Sequence, residues 1–320
     1  GWKFTLPFDP LLLNYIRKEK IDIIQFHTPA MLGMQAIIIA KALDIPLIGT
    51  FHTFIMDPQY LKHIRLSHRL MEKFAWKWSN AFYNRCDLIT CPSERTKAEL
   101  IAKNCKKPMK VIPYGIDLSE FDNAKSPSVR RALNKKGKLL LFVGRLAYEK
   151  NIPYLLECFA LMLRKLPNTR LVIVGDGPQE KLIKAKIRAL GISKSVIFTG
   201  SIGHDKLVKS GIFGACDVFI HASTTETGPI TLLEAQANGL VSVVVEGPGM
   251  NLVTNNVNGY VVGQNDKKGF ADAVVTLLTD AAKYNRMKKA TLRIVRKYEI
   301  SHVIEDWEMA YEKLRKVGRR

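Results

Sequence analysis

The sequence lacks any apolar run long enough to cross a membrane, and it is poor in cysteine. The longest apolar candidate, Ala36–Ala40, is bracketed by Gln35 and Lys41, whereas a membrane-spanning helix needs about 18–20 apolar residues. The five cysteines include no C-x-x-C pair, which favours reduced cytosolic thiols over a disulfide framework or a zinc site. The first residues contain neither an initiator methionine nor a charged-then-apolar signal segment. These absences together predict a cytoplasmic location.

Acidic residues are also scarce, with 29 Asp and Glu against 49 Lys and Arg and a formal net charge of +20. This charge does not bear on the fold, but it predicts an anionic partner: a membrane surface, a nucleic acid or a phosphorylated ligand. The excess is spread over both halves, +6 in residues 1–125 and +14 in 126–320. Because no helix-turn-helix, zinc knuckle or aromatic RNA-binding signature occurs, nucleic acid is the weaker hypothesis. The sequence therefore predicts no nucleic-acid partner.

The length and the hydrophobic content predict two folded domains. The chain has 320 residues, of which 47% are hydrophobic, so it is large enough for two domains and too apolar for global disorder. Short apolar runs alternate with longer amphipathic segments, and the polar segment Asp117–Lys138 interrupts this rhythm as a linker with an exposed helix. The order of elements predicts the α/β class, with two doubly wound parallel sheets that bind ligands at the C-terminal ends of their strands.

The predicted elements can be read from these runs. The strands are Ile21–His27, Pro46–His52, Asp87–Cys91, Met109–Ile112, Lys138–Val143, Arg170–Val174, Val196–Thr199, Asp217–His221, Val241–Val245 and Gly259–Val262. The helices are Ala30–Leu43, Gln59–Asn84, Ser93–Asn104, Pro153–Leu166, Gln179–Leu190, Asp205–Ala215, Ile230–Asn238 and Lys267–Asp280. In a parallel sheet with both faces covered, strands are nearly continuous apolar runs, as several of these are.

Two carboxylates, Glu226 and Glu234, are separated by seven residues in the strand–loop–helix segment 221–239. The helix N-terminus between them offers unpaired N–H groups and a positive dipole end for a phosphate. A loop carboxylate there could bind sugar hydroxyls, and a helix carboxylate could bind a ribose. The alternative is a solvated acidic loop followed by a chance helix glutamate.

Two cations follow the first strand of the second domain. Arg145 and Lys150 stand just after Lys138–Val143, where the strand end would direct them toward the same crevice. Two positive charges at this place could neutralise a diphosphate leaving group as a glycosyl bond breaks. For either residue alone, a surface cation on a basic protein is an equally good interpretation.

Several motifs occur together and in order. They are VIPYGID (Val111–Asp117), VGRLAYEKN (Val143–Asn151), LVIVGDGP (Leu171–Pro178), VIFTG (Val196–Gly200), the Glu-x7-Glu segment and VNGYVV (Val257–Val262). In these motifs the sequence resembles the retaining family 4 glycosyltransferases of the GT-B type, over nearly the whole chain from Ile21 on. The resemblance implies two Rossmann-like domains, with a nucleotide-sugar donor on the C-terminal one, an acceptor on the N-terminal one and chemistry in the cleft between them.

The resemblance also implies residue roles and domain boundaries. By position, Arg145 and Lys150 would bind the diphosphate, Glu226 would bind the donor sugar and Glu234 would bind the ribose. The base pocket would be lined by Gly200, Ser201 and Ile202. Further contacts with the donor would come from Gly144, Gly228, Ile230 and Thr231. His52, in the TFHT context, would lie beside the donor sugar, and His27 is a weaker candidate of the same kind. The final helix would return to the first domain, giving domains of 1–119 plus 301–320 and of 120–300.

Two features suggest the acceptor: the residue sequence of the loop that would bind the donor, and a basic aromatic helix. TTETGPITLLE resembles the diacylglycerol glucosyltransferase branch, which implies a lipid acceptor and UDP-glucose as the donor. A basic amphipathic helix with tryptophan is typical of an interfacial membrane binder; the alternative is a core-facing helix with a solvated basic face. The acceptor and membrane residues would be His27, Arg65, Arg69, Lys73, Trp76, Lys77 and Trp78.

The resemblance thus predicts a retaining hexosyltransferase on the cytoplasmic face of a membrane, without a metal or other cofactor; no D-x-D motif occurs. Another acceptor, such as phosphatidylinositol, a polysaccharide or a small glycoside, stays open. The chain also opens in what resembles the segment before the family's fourth strand, so the first domain is expected to lack its N-terminal strands. A truncated, non-catalytic nucleotide-sugar binder is the second hypothesis.

Overall fold

The computed structural model describes residues 9–54, 68–121, 126–134 and 136–317. The chain divides into two compact units. The first comprises Gly1–Tyr114 with Ser301–Arg320, and the second comprises Gly115–Ile300. The division thus falls between Tyr114 and Gly115, where the sequence predicted a boundary between residues 119 and 120. In the described residues, no helix combines the length and the apolar character that a bilayer crossing requires.

The first unit contains a parallel sheet of four strands in the order β1-β2-β3-β4. The strands are β1 (Ile24–Phe26), β2 (Leu47–Thr50), β3 (Leu88–Cys91) and β4 (Met109–Val111). The helices are α1 (Pro10–Lys18), α2 (Met31–Leu43), α3 (His68–Tyr83), α4 (Glu94–Ala102) and, from the end of the chain, α13 (Ile300–Val317). Ser93 caps α4 by accepting a hydrogen bond from the Thr96 N–H, which confirms the predicted start of that helix.

The C-terminal helix α13 packs on the first unit. Tyr311 donates a 2.7 Å hydrogen bond from its hydroxyl to Gln25 Oε1, and Lys110 Nζ lies 3.3 Å from Asp306 Oδ1. Trp307 packs against a small buried cluster that includes Ile112. These contacts attach the end of the chain to the sheet of the first unit.

The second unit contains a parallel sheet of six strands in the order β10-β9-β8-β5-β6-β7. The strands are β5 (Lys138–Val143), β6 (Thr169–Val174), β7 (Val196–Gly200), β8 (Val218–His221), β9 (Val241–Val245) and β10 (Gly259–Val262). The helices are α5 (Pro127–Leu133), α6 (Ile152–Leu163), α7 (Glu180–Ala189), α8 (His204–Lys209), α9 (Ile212–Ala215), α10 (Ile230–Ala237), α11 (Lys267–Thr279) and α12 (Ala281–Val295). Two parallel sheets with helices confirm the predicted α/β architecture.

The strand order of the second sheet places its ligand crevice. Read from β7, the sheet has the arrangement 3-2-1-4-5-6, in which connections leave in opposite directions from the two central strands. Here those strands are β5 and β8, paired through Leu140 with Val218 and Leu141 with Phe219. Ligands of such sheets bind in the crevice outside the C-terminal ends of these strands. Residues that follow Val143 and those near His221 therefore lie at the expected site.

Some predicted elements differ in the structure, and one helix was not predicted. The helix predicted for Asp205–Ala215 is divided into α8 and α9, because Gly211 has a left-handed φ of 72° that no continuous helix accommodates. Strand β1 covers only Ile24–Phe26 of the predicted Ile21–His27. The helix α12 follows α11 directly and was not recognised, although Asp280 caps it by accepting a hydrogen bond from the Lys283 N–H.

Candidate functional site

Glycine turns at the ends of β5, β6 and β7 form the floor of the crevice in the second unit. Gly175 has a φ of +132°, and a Cβ atom there would lie 2.1 Å from the carbonyl oxygen of Gly144. The Gly175 N–H donates to the Gly200 carbonyl at 2.8 Å, and the Gly144 N–H donates to Val174. The three turns are therefore connected by backbone hydrogen bonds, and at Gly175 the backbones lie so close that a side chain is excluded. This permits an approaching ligand to contact main chain directly.

Each of the two predicted phosphate-binding cations is paired with a carboxylate. Lys150 Nζ donates a hydrogen bond to Glu226 Oε1, and their side chains are only 20% and 18% exposed. Arg145 Nη2 lies 2.6 Å from Glu149 Oε1, and the arginine is 62% exposed while the glutamate is buried. The structure thus brings Lys150 and Glu226 together, as predicted from their strand ends, and pairs Arg145 with a glutamate that sequence reasoning did not single out.

The Glu226 carboxyl is held in its ionised form. Burial alone would raise the pKa of Glu226, but the neighbouring His221 ring and the Lys150 ammonium hold that pKa at about 2. His221 Nε2 lies 3.6 Å from the same Oε1 atom that Lys150 contacts. Glu226 is therefore an anion at neutral pH and accepts hydrogen bonds, as a group that binds sugar hydroxyls must.

Glutamine at position 226 is expected to remove a pH-dependent part of the stability. The folded-state pKa of about 2 lies below the ordinary value of 4.5, so the stabilisation is fully present above pH 4.5 and disappears as the pH falls toward 2. The size of the effect is on the order of 3 kcal/mol. Urea unfolding of Glu226→Gln and of the unsubstituted chain measures it as a difference that shrinks in acid.

The control for this prediction is Asp272→Asn, because Asp272 is 42% exposed where it pairs with Lys165. An exposed pair contributes at most about 1 kcal/mol, so its difference stays small at every pH. A Glu226→Gln difference that does not change between pH 7 and pH 3 would contradict the stated role of the ionised carboxyl.

Glu234 lies on α10 and is 3% exposed. Burial raises the pKa of Glu234 despite the partner at its Oε1 atom, which is His204 Nε2 at 2.9 Å. His204 begins α8 and directly follows the predicted base-pocket residues; of these, Ser201 is exposed and Ile202 is half-buried. The structure therefore connects the β7 turn with the predicted ribose carboxylate through His204, which the sequence reasoning missed.

The loop between His221 and α10 rests on a second glycine loop. A Cβ atom at Gly249 would lie 2.6 Å from the Glu226 carbonyl oxygen and from the Gly228 nitrogen. Pro229 precedes α10 and has no N–H to offer a phosphate. Ile230 is exposed and Thr231 is half-buried at the first turn of that helix. The loop between His221 and α10 thus packs against Gly249, a position that has no room for a side chain.

In the first unit, two histidines and a tyrosine form a continuous hydrogen-bonded row. His27 Nδ1 lies 2.7 Å from His52 Nε2, and His52 Nδ1 lies 2.9 Å from the Tyr114 hydroxyl. His27 follows β1, His52 follows β2, and Tyr114 follows β4, so all three stand at the C-terminal edge of this sheet. Burial, together with the neighbouring His27, lowers the pKa of His52.

The helix α3 carries the predicted membrane residues on different faces. Lys73 and Lys77 are exposed, and Trp78 is 43% exposed. Trp76 is 8% exposed and stacks on Phe51 at 6.4 Å, so its assignment to the membrane-facing set is corrected: it belongs to the core of the first unit. Arg65 lies outside the described residues, as does the side chain of Arg69.

The site contains no cluster of His, Cys, Asp and Glu suited to a metal ion within residues 9–54, 68–121, 126–134 and 136–317. All five cysteines are buried as free thiols. At the ends of β5 and β8, the second unit presents the pairs Arg145–Glu149 and Lys150–Glu226.

Two segments of the chain match known family profiles. The profile described as "Glycosyl transferases group 1" matches residues 126–293, and the one described as "Glycosyltransferase Family 4" matches residues 1–120. The first match alone covers more than half of the chain. The chain belongs to the group 1 glycosyltransferases. This confirms the family resemblance on which the site residues were predicted.

Relatives of this group 1 glycosyltransferase include enzymes named for glycolipid synthesis. The alpha-monoglucosyldiacylglycerol synthase of Streptococcus pneumoniae is 33% identical over 80% of the chain, and that of Acholeplasma laidlawii is 30% identical over 76%. A GDP-mannose-dependent alpha-mannosyltransferase of Corynebacterium glutamicum is 28% identical over 87%. The chain spans 59%, 63% and 64% of these proteins' own lengths.

Solved structures agree on the fold. Sucrose-phosphate synthase of Thermosynechococcus elongatus matches with a TM-score of 0.79 at 19% identity, covering 95% of this chain and 76% of that one. Anabaena HepE in complex with UDP-glucose matches with a TM-score of 0.77 at 22% identity, covering 95% and 82%. These likenesses confirm the GT-B fold class of the group 1 glycosyltransferase.

Proposed function

We propose that this protein is a retaining, metal-independent glycosyltransferase that moves glucose from UDP-glucose to a lipid acceptor such as diacylglycerol at an anionic membrane surface. The observation that carries the proposal is the pairing of Lys150 with Glu226 at the switch point of the second sheet. In this pair, a cation that could bind a diphosphate lies beside an anion that could bind sugar hydroxyls, and the chain belongs to a glycosyltransferase family. The names of the two synthase relatives support the lipid acceptor.

Binding of the donor would exchange partners within the site. The diphosphate would replace Glu226 on Lys150 and Glu149 on Arg145, since phosphate oxygens accept charge-assisted hydrogen bonds from both cations. Glu226, released from Lys150, would then accept hydrogen bonds from the donor hexose. The two cations are thus neutralised by carboxylates before the donor arrives and by the diphosphate after it is bound.

The transfer itself would need positioning and charge stabilisation rather than a covalent intermediate. The bond from the anomeric carbon to the leaving phosphate oxygen breaks, and a bond from that carbon to the acceptor oxygen forms on the same face. The proton of the acceptor hydroxyl passes to the leaving phosphate oxygen. Lys150 and Arg145 would stabilise the negative charge that develops on the diphosphate, and the residues that follow β5 and β8 would position the donor.

The membrane part of the proposal rests on the outer face of α3. Leu70, Phe74 and Trp78 recur every fourth residue and are 69%, 70% and 43% exposed, so they form one apolar stripe along the helix. Lys73 and Lys77 flank this stripe and are also exposed. An exposed apolar stripe flanked by lysines is typical of a helix that lies in the membrane interface.

Polar replacement of this stripe is expected to weaken vesicle binding. The double variant Leu70→Ser and Phe74→Ser should lower the affinity for phosphatidylglycerol vesicles about tenfold or more, because two large side chains no longer enter the interface. Sedimentation of the protein with vesicles measures this. The matched control is the double variant Leu11→Ser and Tyr15→Ser on α1, where the two side chains are 79% and 60% exposed. This control should leave vesicle binding unchanged. An equal loss of binding in both double variants, or no loss in either, contradicts the assignment of α3 to the membrane interface.

The overall proposal is tested by product formation. The protein is incubated with radiolabelled UDP-glucose and diacylglycerol in phosphatidylglycerol vesicles, with and without EDTA. A glucosyl-diacylglycerol product with an α-anomeric proton by NMR, formed equally with EDTA, is expected. Transfer of mannose from GDP-mannose in place of glucose would show that the proposed donor is wrong, and a β-anomeric product would contradict retention. Nucleotide-sugar binding without any product would favour the hypothesis of a non-catalytic binder.

A further inference from the structure

His221 is a buried histidine at the end of β8, in the middle of the second sheet. It is 1% exposed and lies between two parallel rings, with Phe142 at 6.1 Å and Phe219 at 6.3 Å. Neither of its ring nitrogens has a hydrogen-bond partner in the part of the chain that the structure describes. A polar ring therefore lies beside two phenylalanine rings and, among the described residues, has no hydrogen-bond partner of its own.

A buried polar group without a partner is unfavourable for folding, and native proteins rarely keep one without a use. The apolar neighbours of His221 do not need its nitrogens, since stacking between Phe142 and Phe219 requires only a flat ring. The presence of the imidazole therefore indicates a polar partner for its nitrogens just beyond the end of β8. The nearest charged atom there is Glu226 Oε1, 3.6 Å from His221 Nε2.

The geometry around Glu226 gives the imidazole a use. Lys150 Nζ donates to Oε1, the same atom that His221 Nε2 approaches. Across the described residues, no hydrogen bond is made to Oε2 of Glu226. One carboxylate oxygen is thus directed toward protein groups and the other is left for a ligand.

We propose that His221 is the positioning residue of Glu226: it holds Oε1 when Lys150 turns to the donor diphosphate, and so keeps Oε2 directed at a hydroxyl of the donor hexose. This inference rests on the proposed function. Without His221, the release of Lys150 would leave Glu226 without a fixed partner at the moment when the sugar must be oriented. The residue would therefore affect recognition of the hexose more than that of the nucleotide.

The variant His221→Phe separates these two contributions. It keeps a flat ring between Phe142 and Phe219 and removes both nitrogens. Both ligands release Lys150 from Glu226, so that step is common to the two Kd values, and only UDP-glucose adds the contact of Glu226 with the hexose. We therefore expect the Kd for UDP-glucose, measured by titration calorimetry, to rise about tenfold more than the Kd for UDP.

Two further variants serve as controls. His221→Gln restores a side-chain N–H donor and should recover part of the UDP-glucose affinity. Phe219→Leu disturbs the same aromatic stack without touching a nitrogen, so it should lower the Tm and leave the difference between UDP and UDP-glucose as it is. A purely structural role for His221 predicts equal weakening of both ligands in His221→Phe, and that result would overturn the assignment.

The assignment and the proposed function fail in different ways. If the unsubstituted chain binds UDP-glucose more tightly than UDP and His221→Phe preserves this difference, the positioning role is wrong and the function stands. If the unsubstituted chain binds neither UDP-glucose nor GDP-mannose, the proposed function is wrong and the role of His221 falls with it.

Discussion

Replacing Lys150 by alanine is expected to lower the turnover number about a thousandfold. The Lys150 side chain is 20% exposed, so its charge acts in a poorly solvated place where an ammonium stabilises a developing phosphate charge strongly. Arg145, the other cation after β5, is 62% exposed and cannot compensate to the same extent. The measurement is kcat for glucosyl-diacylglycerol formation at saturating donor.

The control for this variant is Lys165→Ala, because Lys165 also pairs with a carboxylate, at 2.6 Å from Asp272 Oδ1, but is 55% exposed and on another part of the second unit. Its removal should leave kcat unchanged. Lys150→Arg keeps the charge with a different geometry and should recover part of the lost turnover. A Lys150→Ala chain that retains nearly normal kcat would remove the basis of the diphosphate role.

Lys150 has two conceivable roles, and a double-mutant cycle with Glu226 distinguishes them. If Lys150 acts only by holding Glu226, then Lys150→Ala combined with Glu226→Gln is no slower than Glu226→Gln alone. If Lys150 also neutralises the leaving diphosphate, the double variant is slower and its affinity for UDP falls as well. The partner exchange described above requires the second result.

The strands of the second unit could be predicted almost to the residue. Lys138–Val143 and Val241–Val245 are uninterrupted apolar runs because helices cover both faces of this sheet, and the observed β5 and β9 have the same bounds. The break at Gly211 could not be predicted with the same certainty, since glycine is tolerated inside helices at moderate cost. Only the backbone shows that its φ is left-handed there.

The helix α3 shows what a pattern of residue types leaves undecided. Trp76 and Trp78 stand two positions apart, so they point to nearly opposite sides of α3. Which of them faces the core depends on where the rings of Phe51 and Phe54 come to lie, and those rings belong to a segment after β2. Composition indicated an amphipathic helix; tertiary contacts decide which tryptophan is left outside.

Contacts between residues at strand ends could be predicted where the strand order places the two strands side by side. Lys150 and Glu226 are distant in sequence, but they follow β5 and β8, which are neighbours at the switch point. His221 could have been found from a simpler signal, because it is a polar residue at the end of the buried apolar strand VFIH. The link between His204 and Glu234 had no such signal, since it depends on how the β7 turn leads into α8.

Replacing His52 by alanine is expected to lower kcat about a hundredfold, while the affinity for UDP stays unchanged. The reason is that His52 connects His27 and Tyr114 through contacts of 2.7 and 2.9 Å, so its loss interrupts the whole row. The lowered pKa of His52 keeps its ring neutral at neutral pH, which allows it to donate from one nitrogen and accept at the other. The control is His302→Ala, an exposed histidine on α13.

The row has two consistent proton arrangements, and both lead to the same terminal atom. Either Tyr114 donates to His52 and His52 to His27, or His27 donates to His52 and His52 to Tyr114. In each arrangement both nitrogens of His52 are occupied, whereas no described residue bonds His27 Nε2. We therefore expect His27→Ala to lower kcat as much as His52→Ala, and Tyr114→Phe to lower it only several-fold, because the two rings stay stacked at 5.0 Å. Full turnover in His27→Ala together with loss in His52→Ala would show that His52 itself contacts the sugar and that the row ends there.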